Sequence, residues 1–123
     1  MGYLIVTVGG GIGALARYVL STWVHTLTGA AFPWGTLAVN ALGSFIIGLV
    51  MVLSLERAAI SPEVRLLLTT GFCGGLTTFS TFSYETLSLI RAEQWLWAGA
   101  NTVGNVMLCC LATALGLVAG RMV

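Results

Sequence analysis

Residues Gly71 to Glu85 read GFCGGLTTFSTFSYE, and the class of fold follows from where that stretch sits. A long apolar segment leads into it. A glycine pair (Gly74, Gly75), a threonine pair (Thr77, Thr78) and two phenylalanines three residues apart (Phe79, Phe82) follow among serines and threonines. In water this would be an ordinary turn. At membrane depth, irregular backbone survives only where it is buried in protein or lines a polar cavity. Such an interruption inside an apolar segment is a first sign of a permeation site.

Working outward, composition places the stretch in a membrane. The chain has 123 residues, 58% hydrophobic and 7% charged, with a mean hydropathy of +0.99. A soluble domain carries about 25% charged residues. There is no Lys and no Asp; the charges are Arg17, Arg57, Arg65, Arg91 and Arg121 against Glu56, Glu63, Glu85 and Glu93. A net charge of +1 gives no basic face for nucleic acid. No basic residue precedes the first apolar run and no clean cleavage site ends it, so it does not read as a signal peptide. Cys73, Cys109 and Cys110 fall inside apolar segments, an odd count that suggests free thiols packed as small hydrophobes.

A spanning helix needs about 20 predominantly apolar residues. The sequence predicts an all-α integral membrane protein of four transmembrane helices in a single domain over residues 1–123. The spans fall at about 3–27, 34–55, 64–90 (broken near 74–78) and 95–120. Ser61, followed by Pro62 and Glu63, is an N-cap signal for the third. Four spans put both termini on one side, with Arg57, Arg65 and Arg121 near it, Arg91 opposite, and Arg17 pointing that way. That bias is too small to fix an orientation. It leaves open a chain oriented by its first helix or copies that insert both ways and pair antiparallel. Trp23, Trp34, Trp95 and Trp97 all lie near the face opposite the termini, which agrees with inversion without requiring it. Gly9 with Gly13, and Gly35, Gly43 and Gly48, permit close helix approach, either within one subunit or between two.

Residues 3–14, YLIVTVGGGIGA, mimic a dinucleotide fingerprint, but no acidic residue follows until Glu56 and no sheet is available. Arg17, an ionisable group toward the end of the first helix, reads as a vestibule charge that concentrates anions or as a residue snorkelling to headgroups. His25 reads as interfacial. Asn40 lies inside the second helix, where its amide either clamps a neighbour or donates to an anion. Beyond the break, Phe79 and Phe82 share one face and Ser80 and Thr81 offer hydroxyl donors. Because the edge of an aromatic ring is its positive side, Phe edges can favour a desolvated anion. Glu85 lies one turn on, its state undecided. Asn101, Asn105 and Cys109 form a weakly polar stripe, part of an aqueous path or a glue between helices. One His, no Asp and no metal-ligand cluster leave no catalytic constellation.

GFCGGLTTFSTFSYE, with GIGALAR before it and WGTLAVNALGSFIIG between, resembles the small fluoride channels called Fluc or CrcB over essentially the whole chain. The resemblance implies an antiparallel, dual-topology homodimer with two fluoride pores in the bacterial inner membrane, exporting fluoride passively. It also implies a central structural Na⁺ held by the backbone carbonyls of Gly74 and Thr77 from each subunit. The family's pore phenylalanines match Phe79 and Phe82, its pore amide Asn40, its vestibule arginine Arg17, and its hydroxyl track Ser80 and Thr81. On the fourth helix Asn105 is the expected contributor to the fluoride pathway. There Asn101, Asn105 and Cys109 depart from the Tyr and Ser of the family pattern. A small multidrug-type proton antiporter is the rival reading, but it needs a chamber carboxylate, and the first two helices up to Leu55 have none.

Overall fold

The computed structural model describes residues 1–123 and is helical throughout, without a strand. Helix α1 spans Gly2–Thr28, and α2 spans Trp34–Met51 with a wider π-type continuation over Val52–Glu56. We call residues 62–76 α3. It starts as a short α-helix (Pro62–Leu66), widens to π geometry over Leu67–Cys73, and closes with Gly74–Leu76. After a two-residue interruption at Thr77 and Thr78 come α4 (Phe79–Arg91) and α5 (Trp95–Met122). Helices α1, α2 and α5 are long and apolar enough to cross a membrane. The protein is therefore a multi-pass membrane protein.

Local signals set the ends of these helices. Gly29 (φ 77°) takes the left-handed position after α1, and its N–H donates to the carbonyl of His25, as glycine does just past a helix end. Ser61 accepts from the N–H of Val64, with Pro62 in the first turn of α3. Between α1 and α2, buried Phe32 stacks at 4.6 Å on Trp34 and 5.4 Å on Trp97, tying that loop to the start of α5. At the opposite end Arg121 grips Glu56 with two nitrogens, at 2.9 and 3.0 Å. Both partners are exposed, so this pair adds little stability.

The bundle is assembled from two close helix pairs, each built on glycine. Helix α1 packs on α3: a methyl on Gly13 would strike the Phe72 carbonyl and approach the Leu76 nitrogen to 2.9 Å, and one on Gly75 would come 2.8 Å from the Ala14 nitrogen. Helix α2 packs on α5: a methyl on Gly48 would lie 3.0 Å from the Leu117 nitrogen, and one on Gly116 2.9 Å from the Leu49 nitrogen. Lipid gives no hydrophobic drive for helix association, so close backbone approach carries the packing. Gly9, Gly13, Gly35, Gly43 and Gly48 all face neighbours within the same subunit.

The structure refines the expected break. Gly74 remains helical (φ −61°, ψ −37°), and Gly75 is needed for contact with α1. The helix instead opens at the threonines, with Thr77 (φ −83°, ψ 158°) and Thr78 (φ −152°, ψ 122°) both extended. The expected free thiols fall at three depths: Cys73 buried, Cys109 partly buried, Cys110 exposed. Gly13→Ala or Gly75→Ala should destabilise the protein by about 1–3 kcal/mol or more through overpacking, lowering the unfolding midpoint in detergent. Gly99→Ala, where a methyl meets nothing within 4 Å, should not lower it, since alanine is the better helix former.

Candidate functional site

The broken helix exposes backbone groups that must find partners in a low-dielectric interior. Asn40 supplies two of them. Its Oδ1 accepts from the N–H of Thr78 at 2.8 Å, and its Nδ2 donates to the Thr78 carbonyl at 3.2 Å. Thr78 then caps α4: its Oγ1 accepts from the N–H of Thr81 at 3.2 Å and lies 3.1 Å from the Thr81 hydroxyl and 3.4 Å from that of Ser80. Sequence reading did not single out Thr78 as a cap. A threonine ahead of a polar first turn is nevertheless an N-cap signal.

These caps have a consequence for the two carbonyls expected to bind a cation. In a continuous helix the N–H of Thr78 would serve the Gly74 carbonyl, and that of Thr81 the Thr77 carbonyl. Here the first goes to Asn40 and the second to the Thr78 hydroxyl. Gly74 and Thr77 thus keep oxygens without their helical donors, and Gly74 lies exposed on the subunit surface. The α4 N-terminus that follows presents the positive end of its helix dipole at Phe79 to Thr81.

Asn40, Thr78, Phe79, Phe82, Asn105 and Cys109 line a cavity of about 410 Å³. The Phe79 and Phe82 rings sit 5.4 Å apart at 55°. Phe82 is 9% exposed, whereas Phe79 is 79% exposed on the outside of the subunit. Buried Asn105 joins the cavity wall through Asn40, whose Nδ2 donates to its Oδ1 at 3.0 Å. The Asn105 Nδ2 donates to the carbonyl and the Oδ1 of Asn101, at 2.9 and 3.0 Å. Both N–H bonds of Asn40 therefore meet protein acceptors.

A second cavity, of about 290 Å³, is lined mainly by polar side chains, those of Ser21, Thr22, His25, Thr36, Thr81 and Glu85, together with Pro33 and Gly35. Thr36, buried on α2, donates to Glu85 Oε1 at 2.7 Å, while Glu85 Oε2 is buried and has no partner. The sequence left Glu85 undecided because its partner lies 49 positions away. His25, read as interfacial, is exposed and faces this cavity. Thr81 bridges the two regions, facing the polar cavity while its N–H and hydroxyl meet Thr78 at the edge of the first. Ser80 is exposed beside it. Arg17 is half-buried, lines neither cavity, and makes no side-chain ion pair within the subunit.

Residues 4–117 match the family described as CrcB-like protein, Camphor Resistance (CrcB). The chain belongs to the CrcB family. Relatives named fluoride-specific ion channel FluC include proteins of Geotalea uraniireducens (52% identical, covering 96% of this chain and 95% of the relative) and Magnetococcus marinus (51%, covering 96% of each). Another is the protein of Geobacter sulfurreducens (49%, covering 96% and 95%). CrcB relatives so named are ion channels, not enzymes.

The cap at the head of α4 can be tested directly in this CrcB chain. Thr78→Val removes the acceptor of the Thr81 N–H and should cost about 1 kcal/mol, read as a lower unfolding midpoint. Thr78→Ser keeps the oxygen and should restore most of the loss.

Proposed function

We propose that this CrcB chain is a fluoride-selective channel that exports fluoride passively across the bacterial inner membrane. The observation that carries the reading is the capped helix break of Asn40 and Thr78 beside Phe79 and Phe82, in a chain about half identical to proteins named fluoride-specific channels. In this reading 62–91 forms the third of four crossings, its two halves meeting at the threonines. Two copies pair antiparallel and each pair holds two pores. Support for a second copy comes from Phe79, an aromatic ring left 79% exposed at the rim of the site.

The mechanism follows from the hydration of fluoride. A small, strongly hydrated anion crosses a low-dielectric layer only if the wall replaces its water with close donors. Arg17 raises the local anion concentration at the vestibule. The hydroxyls of Thr81 and Ser80 lead from the polar cavity past the Thr78 cap to the ring edges of Phe82 and Phe79 and to the Asn40 amide, against which Asn105 sets its oxygen. The α4 dipole and the ring edges add a positive field where no full charge stands. Chloride, larger and a weaker acceptor, gains less from each of these donors.

The Gly74 and Thr77 carbonyls suit a hard cation, since unwound carbonyls hold Na⁺ in membrane proteins and these two have lost their helical donors. Two oxygens are too few for a cation stripped of its water, so both subunits would contribute them. A Na⁺ there would supply a fixed positive charge that offsets the cost of burying an anion nearby.

A second reading, proton-coupled exchange, rests on Glu85, whose Oε2 is buried without a partner. One measurement separates the two. Purified protein in fluoride-loaded liposomes should release fluoride, followed by an electrode, much faster than chloride and without an imposed proton gradient. Equal chloride release, or no release at all, would remove the channel reading, and a strict need for the gradient would favour the exchanger. Phe79→Ile and Phe82→Ile should each cut the efflux rate at least about tenfold, roughly 1.4 kcal/mol of barrier, while chemical crosslinking still captures the dimer. With the native cysteines replaced, Glu93→Cys should be labelled by an impermeant thiol reagent in about equal shares from the two membrane faces. Labelling from one face alone would exclude inversion.

A further inference from the structure

Asn101 has no place in the pathway described above. It lines neither cavity, yet its side chain is wholly buried, at 0% exposure. A carboxamide in an apolar bundle must spend its donors and acceptor on something, and the chemistry of its neighbours fixes how. The Thr86 hydroxyl donates to the Phe82 carbonyl at 2.9 Å, which leaves its oxygen free to accept from Asn101 Nδ2, also at 2.9 Å. With its nitrogen committed to Thr86, Asn101 turns Oδ1 toward Asn105.

One turn along α5, Asn105 faces two oxygens of Asn101, the backbone carbonyl and Oδ1. Neither can donate, so the Asn105 nitrogen must point at them, and both of its N–H bonds are used. Asn105 can then present only its oxygen to Asn40, whose Nδ2 donates to it at 3.0 Å. The far end is equally constrained: the Thr78 N–H requires the Asn40 oxygen, and the Thr78 carbonyl requires its nitrogen. A directed chain of hydrogen bonds thus runs from the Phe82 carbonyl, through Thr86, Asn101, Asn105 and Asn40, to the backbone of Thr78. It begins and ends on the two residues that frame the ion cavity.

We propose that Asn101 is a positioning residue for anion selection. By locking the Asn105 amide it sets an oxygen against the Asn40 N–H, so a permeating anion must compete with an amide oxygen for that donor. A small, strong acceptor such as fluoride can displace a hydrogen bond at 3.0 Å; a larger, weaker acceptor cannot recover what it breaks. Without the Asn101 side chain the Asn105 amide keeps one anchor, the backbone carbonyl of residue 101, while its second N–H is released to turn toward the site, and discrimination falls. The inference rests on the channel reading, and it goes beyond it by assigning selectivity to a residue that never meets the ion.

The test compares fluoride and chloride efflux from liposomes for Asn101→Leu, Asn105→Leu and the double variant, each normalised to reconstituted protein. Asn101→Leu should lower the fluoride-to-chloride ratio at least about tenfold. The double variant should match Asn105→Leu, because a residue acting only through another is not additive with it. A wild-type ratio in Asn101→Leu, or additive losses in the double variant, would overturn the assignment and leave Asn101 as a packing residue. If Asn101→Leu fails to fold, Thr86→Val removes the anchor for Asn101 Nδ2 and should lower the ratio in the same direction; an unchanged ratio there also overturns it. Wild-type protein that carries no fluoride would instead mark failure of the channel reading itself.

Discussion

The constraint on which the rest of the structure depends is that a helix opened in the buried interior of a bundle must find new partners for the backbone groups it frees. Between Leu76 and Phe79 the chain leaves helical geometry, where water cannot take over the lost hydrogen bonds. One carboxamide, that of Asn40, reads both the N–H and the carbonyl of Thr78, and the Thr78 hydroxyl takes the N–H of Thr81. This solution has a by-product. The donors it captures are the ones that the Gly74 and Thr77 carbonyls would have had, so satisfying one side of the break leaves oxygen acceptors on the other.

Asn40 can reach Thr78 only because the helices approach so closely. On α2, Gly43 lies against Thr77: a methyl there would strike the Thr77 side chain. Asn40 precedes Gly43 by about one helical turn and so stands on the same face, opposite Thr78. The glycines of α1 and α3 press the first half of the broken segment into place, and those of α2 and α5 hold the surface it meets. The same α2–α5 pairing sets Asn105 within reach of Asn40. Backbone packing and site geometry are therefore one problem in this protein.

Part of the site lies open on the surface of the subunit. Phe82 is packed while Phe79 stands out from the surface, and Gly74 is exposed at the break. The hydroxyls of Thr81 and Thr78 connect the polar cavity around Thr36, Thr81 and Glu85 to the cavity beside Phe82. The cavity beside Phe82 is lined by amide, hydroxyl, thiol and apolar groups and by no charged side chain.

Local pattern in the sequence determined much of this. Apolar runs bounded by glycine, proline and a serine cap determined the helices and their ends, because those signals act within a few residues of chain. The motif from Gly71 to Glu85 announced a break and a phenylalanine face, since three-residue spacing puts Phe79 and Phe82 together whatever surrounds them. The glycine pair was less legible: it looked like the break, yet it is helical, and Gly75 serves contact with α1. Only the tertiary structure decided that the threonines open the helix, that Asn40 caps them, that Thr36 holds Glu85, and that Asn101 and Asn105 point their amides one way. Each of those outcomes joins residues from different helices, at separations such as 38, 49 and 65 positions. Helical periodicity tells which residues share a face; it does not tell how far that face is turned toward a neighbour. That rotation is set by where two backbones can touch, and hence by the packing of the whole bundle.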